Sequence, residues 1–355
     1  MKYRLLSPGP TPVPETVLTA MANPMWHHRT PAFEKIFAEC REGLRWLFQV
    51  DDDVLILSSS GTGGFEAAIQ TYFSVGDNVN CDGGGKFGER WGQMARKLGL
   101  EAIDIPVEWG EAADPGKVEE ALKAHPDAKG VVVVASETST GVRHPYEAIG
   151  ALVKDREDTL FLVDGITAVG VWDINPKRDH IDVLVSGSQK AFMLPPGLAF
   201  VASSEKAWRR ASQAKGPRYY FDLNKEKKNQ AQNQTAYTPA VSLIVGLQES
   251  LRLLREEGLE QIFARHARLA RATRVGCEAL GLSLFAKVPA ESVTSVVSPS
   301  EIPPDAVYKG LRDRANITIA GGQDALKGKI FRVAHLGYYD DLDIMPVMGA
   351  SVAVE

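Results

Sequence analysis

Short apolar runs recur along the first two-thirds of the chain, at Val54–Leu57, Asn78–Cys81, Ala102–Ile105, Val131–Val134, Leu160–Val163, Val183–Val185 and Leu198–Val201. They are continuous rather than alternating, the pattern of strands buried on both faces. Helical patterns lie between most of them: Phe65–Phe73, Glu89–Leu98, Lys117–Lys123 and Tyr146–Val153. The alternation predicts an α/β fold with a mostly parallel central sheet and helices on both faces. Upstream, the four prolines of Ser7–Pro14 fix φ and remove donors, so an ordered extended arm is expected there. A helix should follow from Pro31, with Phe33, Phe37, Cys40, Leu44 and Leu47 on one face.

After the last run the pattern breaks. Residues Lys215–Gln234 read as a long polar connection, expected to be functional or mobile. A long helical stretch from about Ser242 to Leu280 follows, interrupted near Gly258. The remainder reads as α+β, with runs at Leu282–Phe285, Val293–Val297, Ile317–Ile319 and Ile330–Val333 and a helix near Asp305–Arg314. The expected organisation is an arm over 1–20, a large α/β domain over 21–260 and a small α+β domain over 261–355.

Composition narrows the function classes. A net charge of -5 gives no pull toward nucleic acid or an anionic membrane. No apolar run approaches the roughly 20 residues that span a bilayer. The N-terminus has too short an apolar stretch for a signal peptide. Cys40, Cys81 and Cys277 are scattered, with neither disulfide nor metal spacing, which suits a reducing cytoplasm.

The chemistry concentrates at strand ends. Lys190 closes the run Val183-Leu184-Val185-Ser186-Gly187-Ser188-Gln189-Lys190, and Asp164 closes Leu160–Val163. Either residue alone has an ordinary reading: a lysine after a strand is usually solvated, and an aspartate there often caps a turn. Together they match what pyridoxal phosphate (PLP) chemistry needs. A lysine amine holds the cofactor aldehyde as a Schiff base, and a carboxylate keeps its ring nitrogen protonated. The loop Ser58–Gly64 leads from a strand into a helix and suits an anion at the helix N-terminus. Its glycine spacing fits neither a dinucleotide nor a nucleoside-triphosphate loop, so a monophosphate fits better. Gly83–Gly88 brings Phe87 after another strand, either as a core side chain or as an aromatic plate against a flat cofactor. Glu137–Gly141 reads as a turn cap that also offers a hydroxyl. All these groups follow the C-terminal ends of strands, where open α/β sheets bind ligands.

With these motifs go Ser7-Pro8-Gly9-Pro10-Thr11, His28-Arg29-Thr30-Pro31, Tyr237-Thr238-Pro239 and Phe331–Gly337. On this set the chain resembles the class V aminotransferases of PLP fold type I, and most closely the alanine–glyoxylate and serine–glyoxylate aminotransferases. The resemblance covers essentially the whole chain. It implies Lys190 as the Schiff-base lysine, Asp164 as partner of the ring nitrogen and Thr138 at the ring oxygen. It implies Phe87 stacked on one face, where the family often has tryptophan, and Ile166 on the other. Ser60, Gly61, Thr62 and Gln189 would contact the phosphate end. Thr238, and Thr235 where some members have tyrosine, would reach the phosphate of a partner subunit, making the protein a homodimer with shared sites. Gly9 and Arg332 would face the substrate, with Arg332 clamping its carboxylate.

The expected activity is transamination from a small amino acid, alanine or serine, to a 2-oxo acid such as glyoxylate or pyruvate. Three rivals remain. A PLP desulfurase or lyase is one, though a desulfurase needs a cysteine on a mobile loop near the substrate. A non-catalytic scaffold subunit is another, although it has no use for Lys190, Asp164 and Arg332 together. A nicotinamide dehydrogenase is disfavoured by the glycine spacing.

Overall fold

The computed structural model describes residues 3–298 and 302–352, so the outermost residues of the arm and of the C-terminal domain, and residues 299–301, lie outside the description. All seven apolar runs are strands of one sheet: β1 (Val54–Ser58), β2 (Asn78–Asp82), β3 (Glu101–Ile105), β4 (Gly130–Val134), β5 (Leu160–Asp164), β6 (Val183–Gly187) and β7 (Leu198–Ser203). Their order is β1-β7-β6-β5-β4-β2-β3. β7 runs antiparallel to both β1 and β6, and the other neighbours are parallel.

Successive residues of each strand serve opposite faces. Val131 and Val133 join a core with Phe33, Phe37, Leu44 and Phe161, whereas Val132 and Val134 join Phe65, Ile69, Tyr72 and Trp91 across the sheet. Helices seal both faces of the inner strands, which therefore read as unbroken apolar runs, while the edge strand β3 exposes Glu101 and Asp104. Helix α1 (Pro31–Phe48) starts as its sequence predicts. Pro31 takes the first turn, and the Thr30 hydroxyl accepts from the Phe33 N–H at 3.4 Å. Helix α2 (Gly61–Tyr72) follows β1 and α3 (Lys86–Lys97) follows β2.

The connection over Lys215–Gln234 is more ordered than its sequence suggested. It contains a helix, Leu223–Gln230, whose N-terminus is capped by the Asp222 carboxylate. At its end the Gln230 amide accepts from the Ile56 N–H at 3.0 Å and donates to the Ile56 carbonyl at 2.8 Å. The segment thus covers part of the edge strand β1, whose backbone groups would otherwise be open to pairing.

The long helical stretch is two helices, α4 (Val241–Glu257) and α5 (Leu259–Ala279), parted by Gly258 at φ +84°. A four-stranded antiparallel sheet follows, ordered Ser283–Leu284, Val293–Val297, Ile330–Ala334, Ala320–Gly321. The proline-rich arm is non-helical through Pro14, and a helix over Glu15–Met21 follows it. At the start of the arm Arg4–Leu5 pairs in parallel with Ile317–Thr318, which fixes the path of Ser7–Thr11 past Lys190. The Thr11 N–H donates to the Gln189 carbonyl at 3.2 Å and its hydroxyl to the Lys190 carbonyl at 2.9 Å.

Candidate active site

At the C-terminal ends of β1, β4, β5 and β6 lies a hollow of about 470 Å³, counting its open mouth. Nine of the residues singled out in the sequence line it: Ser60, Gly61, Thr62, Phe87, Thr138, Asp164, Ile166, Gln189 and Lys190. Asp164 ends its strand, and the others follow within a few residues of a strand end, in the turn or the first turn of the next helix.

Lys190 is enclosed, and its amine donates to the Pro8 carbonyl of the arm. Burial pushes its pKa down to about 8; Asp164 opposes the shift, and Arg332 and Arg90 add to it. A lowered amine pKa brings a larger neutral fraction within reach of neutral pH, which nucleophilic use requires. Gly9 sits at φ +126°, and a Cβ there would collide with the Lys190 amine, so the turn needs glycine.

Asp164 ends β5 as a buried carboxyl. Its pKa is pushed up to about 7, chiefly by burial and further by Glu137, while the Ile166 N–H pulls it back. That N–H donates to Asp164 Oδ1 at 2.9 Å. The Trp91 indole also favours the ionised form, yet its Nε1 finds no partner of ordinary hydrogen-bond geometry. Asp164 is therefore a carboxylate short of positive charge, and a protonated ring nitrogen would supply it.

The rest of the hollow suits a flat, phosphorylated ring. Helix α2 begins at Gly61, and Ser60 makes no side-chain cap, so the first N–H groups of this helix are left to an anion. A Cβ at Gly61 would collide with Ile166, which shows how closely backbone and side chain meet there. Buried Gln189 Oε1 has no partner. These open groups fit PLP: Lys190 for the aldehyde, Asp164 for the ring nitrogen, Phe87 and Ile166 for the ring, and the α2 N-terminus for the phosphate.

Arg332 lies at the centre of the small sheet, between Val293–Val297 and Ala320–Gly321, and is buried. It is no edge-strand arginine paired with a surface carboxylate. Its Nε and Nη2 donate to the Gly321 carbonyl at 3.0 and 2.8 Å, and its Nη1 donates to the Thr138 carbonyl at 2.7 Å. No carboxylate forms an ion pair with it among the described residues. Burial lowers its pKa to about 10.

Thr235 and Thr238 do not join this hollow. They line a separate crevice with Tyr220, Phe221 and Tyr237, and the Thr235 hydroxyl donates to the Tyr237 carbonyl at 2.6 Å. Conversely, the sequence reading overlooked Arg90 and Trp91, which also line the Lys190 hollow. They follow Phe87 by three and four residues, which places them on the same helix face. The Arg90 guanidinium lies 4.6 Å from the Phe87 ring centre and donates to the Thr62 hydroxyl at 3.4 Å.

The family model for class V aminotransferases matches residues 3–337. The chain is 43% identical to the "Soluble hydrogenase 42 kDa subunit" of Anabaena cylindrica, covering 97% of this chain and 91% of the relative. It is 34% identical to the serine–glyoxylate aminotransferase of Methylorubrum extorquens, covering 100% of this chain and 90% of the relative. A solved structure of alanine–glyoxylate aminotransferase from Nostoc sp. superposes with a TM-score of 0.94 at 30% identity, covering 100% of this chain and 96% of the other. The chain belongs to the class V aminotransferases, a family of PLP-dependent enzymes.

Proposed function

We propose that this aminotransferase moves the amino group of alanine or serine to a small 2-oxo acid, glyoxylate or pyruvate, in two half-reactions at one site. The observation that carries the reading is the pairing of Lys190 and buried Asp164 in one hollow, with buried Arg332 outside its lining but near enough to depress the Lys190 amine. Bound PLP supplies an electron sink for the carbanion at the substrate Cα. The chain's own residues do the rest. Arg332 has N–H capacity left for a substrate carboxylate and sets which Cα bond faces the ring. The Lys190 amine would hold the cofactor aldehyde and, when free, would accept and return the substrate Cα proton. Asp164 would face the ring nitrogen and favour its protonated form. The N-terminus of α2, with Thr62 and Arg90, holds the phosphate. Gly9 and Pro8 close the hollow over the lysine.

The same reading makes the protein a homodimer. Thr238 and Thr235 lie outside their own chain's hollow, and the family resemblance would have them reach a neighbour's phosphate. Residues 21–260 would carry the cofactor, and 261–355 would bring Arg332. A desulfurase would need an accessible thiol. Burial instead pushes Cys40, Cys81 and Cys277 well above the usual thiol range, and none lines the hollow. The name of the Anabaena relative would suit a subunit without catalysis, but a buried arginine without an ion pair and a lysine with a depressed pKa are costly to keep without chemistry. Steady-state assays with alanine, serine and aspartate against glyoxylate test the donor. The highest kcat/KM should fall to alanine or serine, and a preference for aspartate would overturn the assignment.

A further inference from the structure

Glu137 is buried at the site and has no part in the chemistry above. It ends the short strand Ser136–Glu137, which pairs with Val142–Arg143. Its Oε2 accepts from the N–H groups of Phe87 at 2.9 Å and Gly88 at 3.1 Å. Its Oε1 accepts from the Ser139 N–H at 2.9 Å and the Ser139 hydroxyl at 2.6 Å. The Ser139 hydroxyl in turn accepts from the Lys86 N–H at 3.1 Å. Three successive N–H groups in the first turn of α3 are therefore held by one carboxylate and its neighbour. Such groups have no partner within a helix, and Gly85 before them brings no side chain. A Cβ on Gly85 would collide with the Glu137 carboxyl, so the carboxylate is pressed into the glycine turn.

The charge of Glu137 follows from its partners. Burial pushes the carboxyl up, but all four contacts are donors. Three of them are backbone N–H groups, which can only donate, so these contacts favour the carboxylate against its burial. An ordinary helix cap would do the same for any helix, but this one joins two particular elements. On one side is the turn that carries Phe87. On the other is the turn that carries Thr138, whose carbonyl also anchors Arg332 at 2.7 Å.

We propose that Glu137 is a positioning residue: its carboxylate locks the Phe87 turn to the Thr138 turn and so fixes the aromatic plate over the cofactor. The proposal rests on the reading that Phe87 faces PLP. It is tested by titrating the apoenzymes of wild type, E137Q, F87A and the double variant with PLP, followed by absorbance. Glutamine keeps the shape of the side chain, but its NH₂ confronts the Phe87 and Gly88 N–H groups in one orientation and the Ser139 N–H in the other. E137Q should raise the Kd for PLP at least about tenfold, since charge-assisted bonds are the strong ones. If Glu137 acts through Phe87, the double variant should bind within about threefold of the weaker single variant, the mark of coupled residues. An unchanged Kd in E137Q, or losses that simply multiply in the double variant, would overturn the proposal. Should E137Q not fold, S139A takes its place, because it removes one donor to Glu137 and the acceptor of Lys86. It should raise the Kd severalfold and show the same coupling to F87A, and a Kd equal to wild type would overturn the proposal. Failure of the wild-type chain itself to bind PLP would instead overturn the cofactor reading beneath it.

Discussion

The Asp164→Asn substitution separates what this carboxylate costs the fold from what it gives the site. In the cofactor-free protein burial raises the Asp164 pKa from 3.8 to about 7. The folded state therefore binds more protons than the unfolded chain between these values. Stability falls as pH rises through that window, by up to about 1.4 kcal/mol per pH unit. Over some three units the carboxylate costs roughly 4 kcal/mol, present in full above pH 7 and absent below pH 4. Asparagine removes this slope. It keeps an oxygen for the Ile166 N–H. The variant should thus be close to wild type in stability near pH 4 and more stable at pH 8. Urea titrations of both apoproteins across pH 4–8 would measure the difference. Loading wild type with PLP should flatten its profile, because a protonated ring nitrogen holds Asp164 ionised. A difference that stays constant across the pH range would refute the assignment of the raised pKa to Asp164.

Three other outcomes follow from the same geometry. Borohydride reduction of the PLP-loaded protein and peptide mapping should place the pyridoxyl label on Lys190, and a label on any other lysine would break the central assignment. Arg332→Ala should raise the KM for alanine and serine by tenfold or more on the scale of a lost charge-assisted pair, with kcat also reduced and PLP binding near normal. Arg332→Lys should recover only part of this, since it loses the planar fork, and unchanged KM values would return Arg332 to a structural role. Mixing inactive Lys190→Ala subunits with weakened Thr238→Ala subunits should place both lesions in one shared site of each mixed dimer and leave the other intact, restoring up to about half the wild-type activity per mixed dimer. No restoration in verified mixed dimers would count against shared sites.

The large sheet was legible because its strands are buried on both faces, so each run such as Gly130–Val134 announces itself without neighbours. The helix Leu223–Gln230 was not, because its residues are almost all polar and it has no apolar period. Its role is to cover an edge strand, and that depends on Gln230 meeting Ile56, a contact 174 residues apart. The arm's pairing through Arg4–Leu5 is likewise too short to show in a pattern. Lys190 and Asp164 stood out because strand ends aim residues into the cleft, and Phe87 because glycines precede it. Arg90 and Trp91 looked like ordinary residues of an amphipathic helix. Glu137 was visible only as part of a turn, since its function lies in bonds to a segment 50 residues away. Arg332 could be named from its motif, but its lack of a carboxylate partner is a tertiary fact.

The most direct test of transamination is a single half-reaction. The PLP-loaded protein is mixed with alanine, and separately with serine, without any oxo acid, and the cofactor and products are then quantified. The account predicts one equivalent of pyridoxamine phosphate and one of the matching 2-oxo acid per active site, with the cycle completed on adding glyoxylate. Cofactor that stays as pyridoxal phosphate with every amino acid tried, or that returns to it while the amino acid loses a side-chain group, would contradict it.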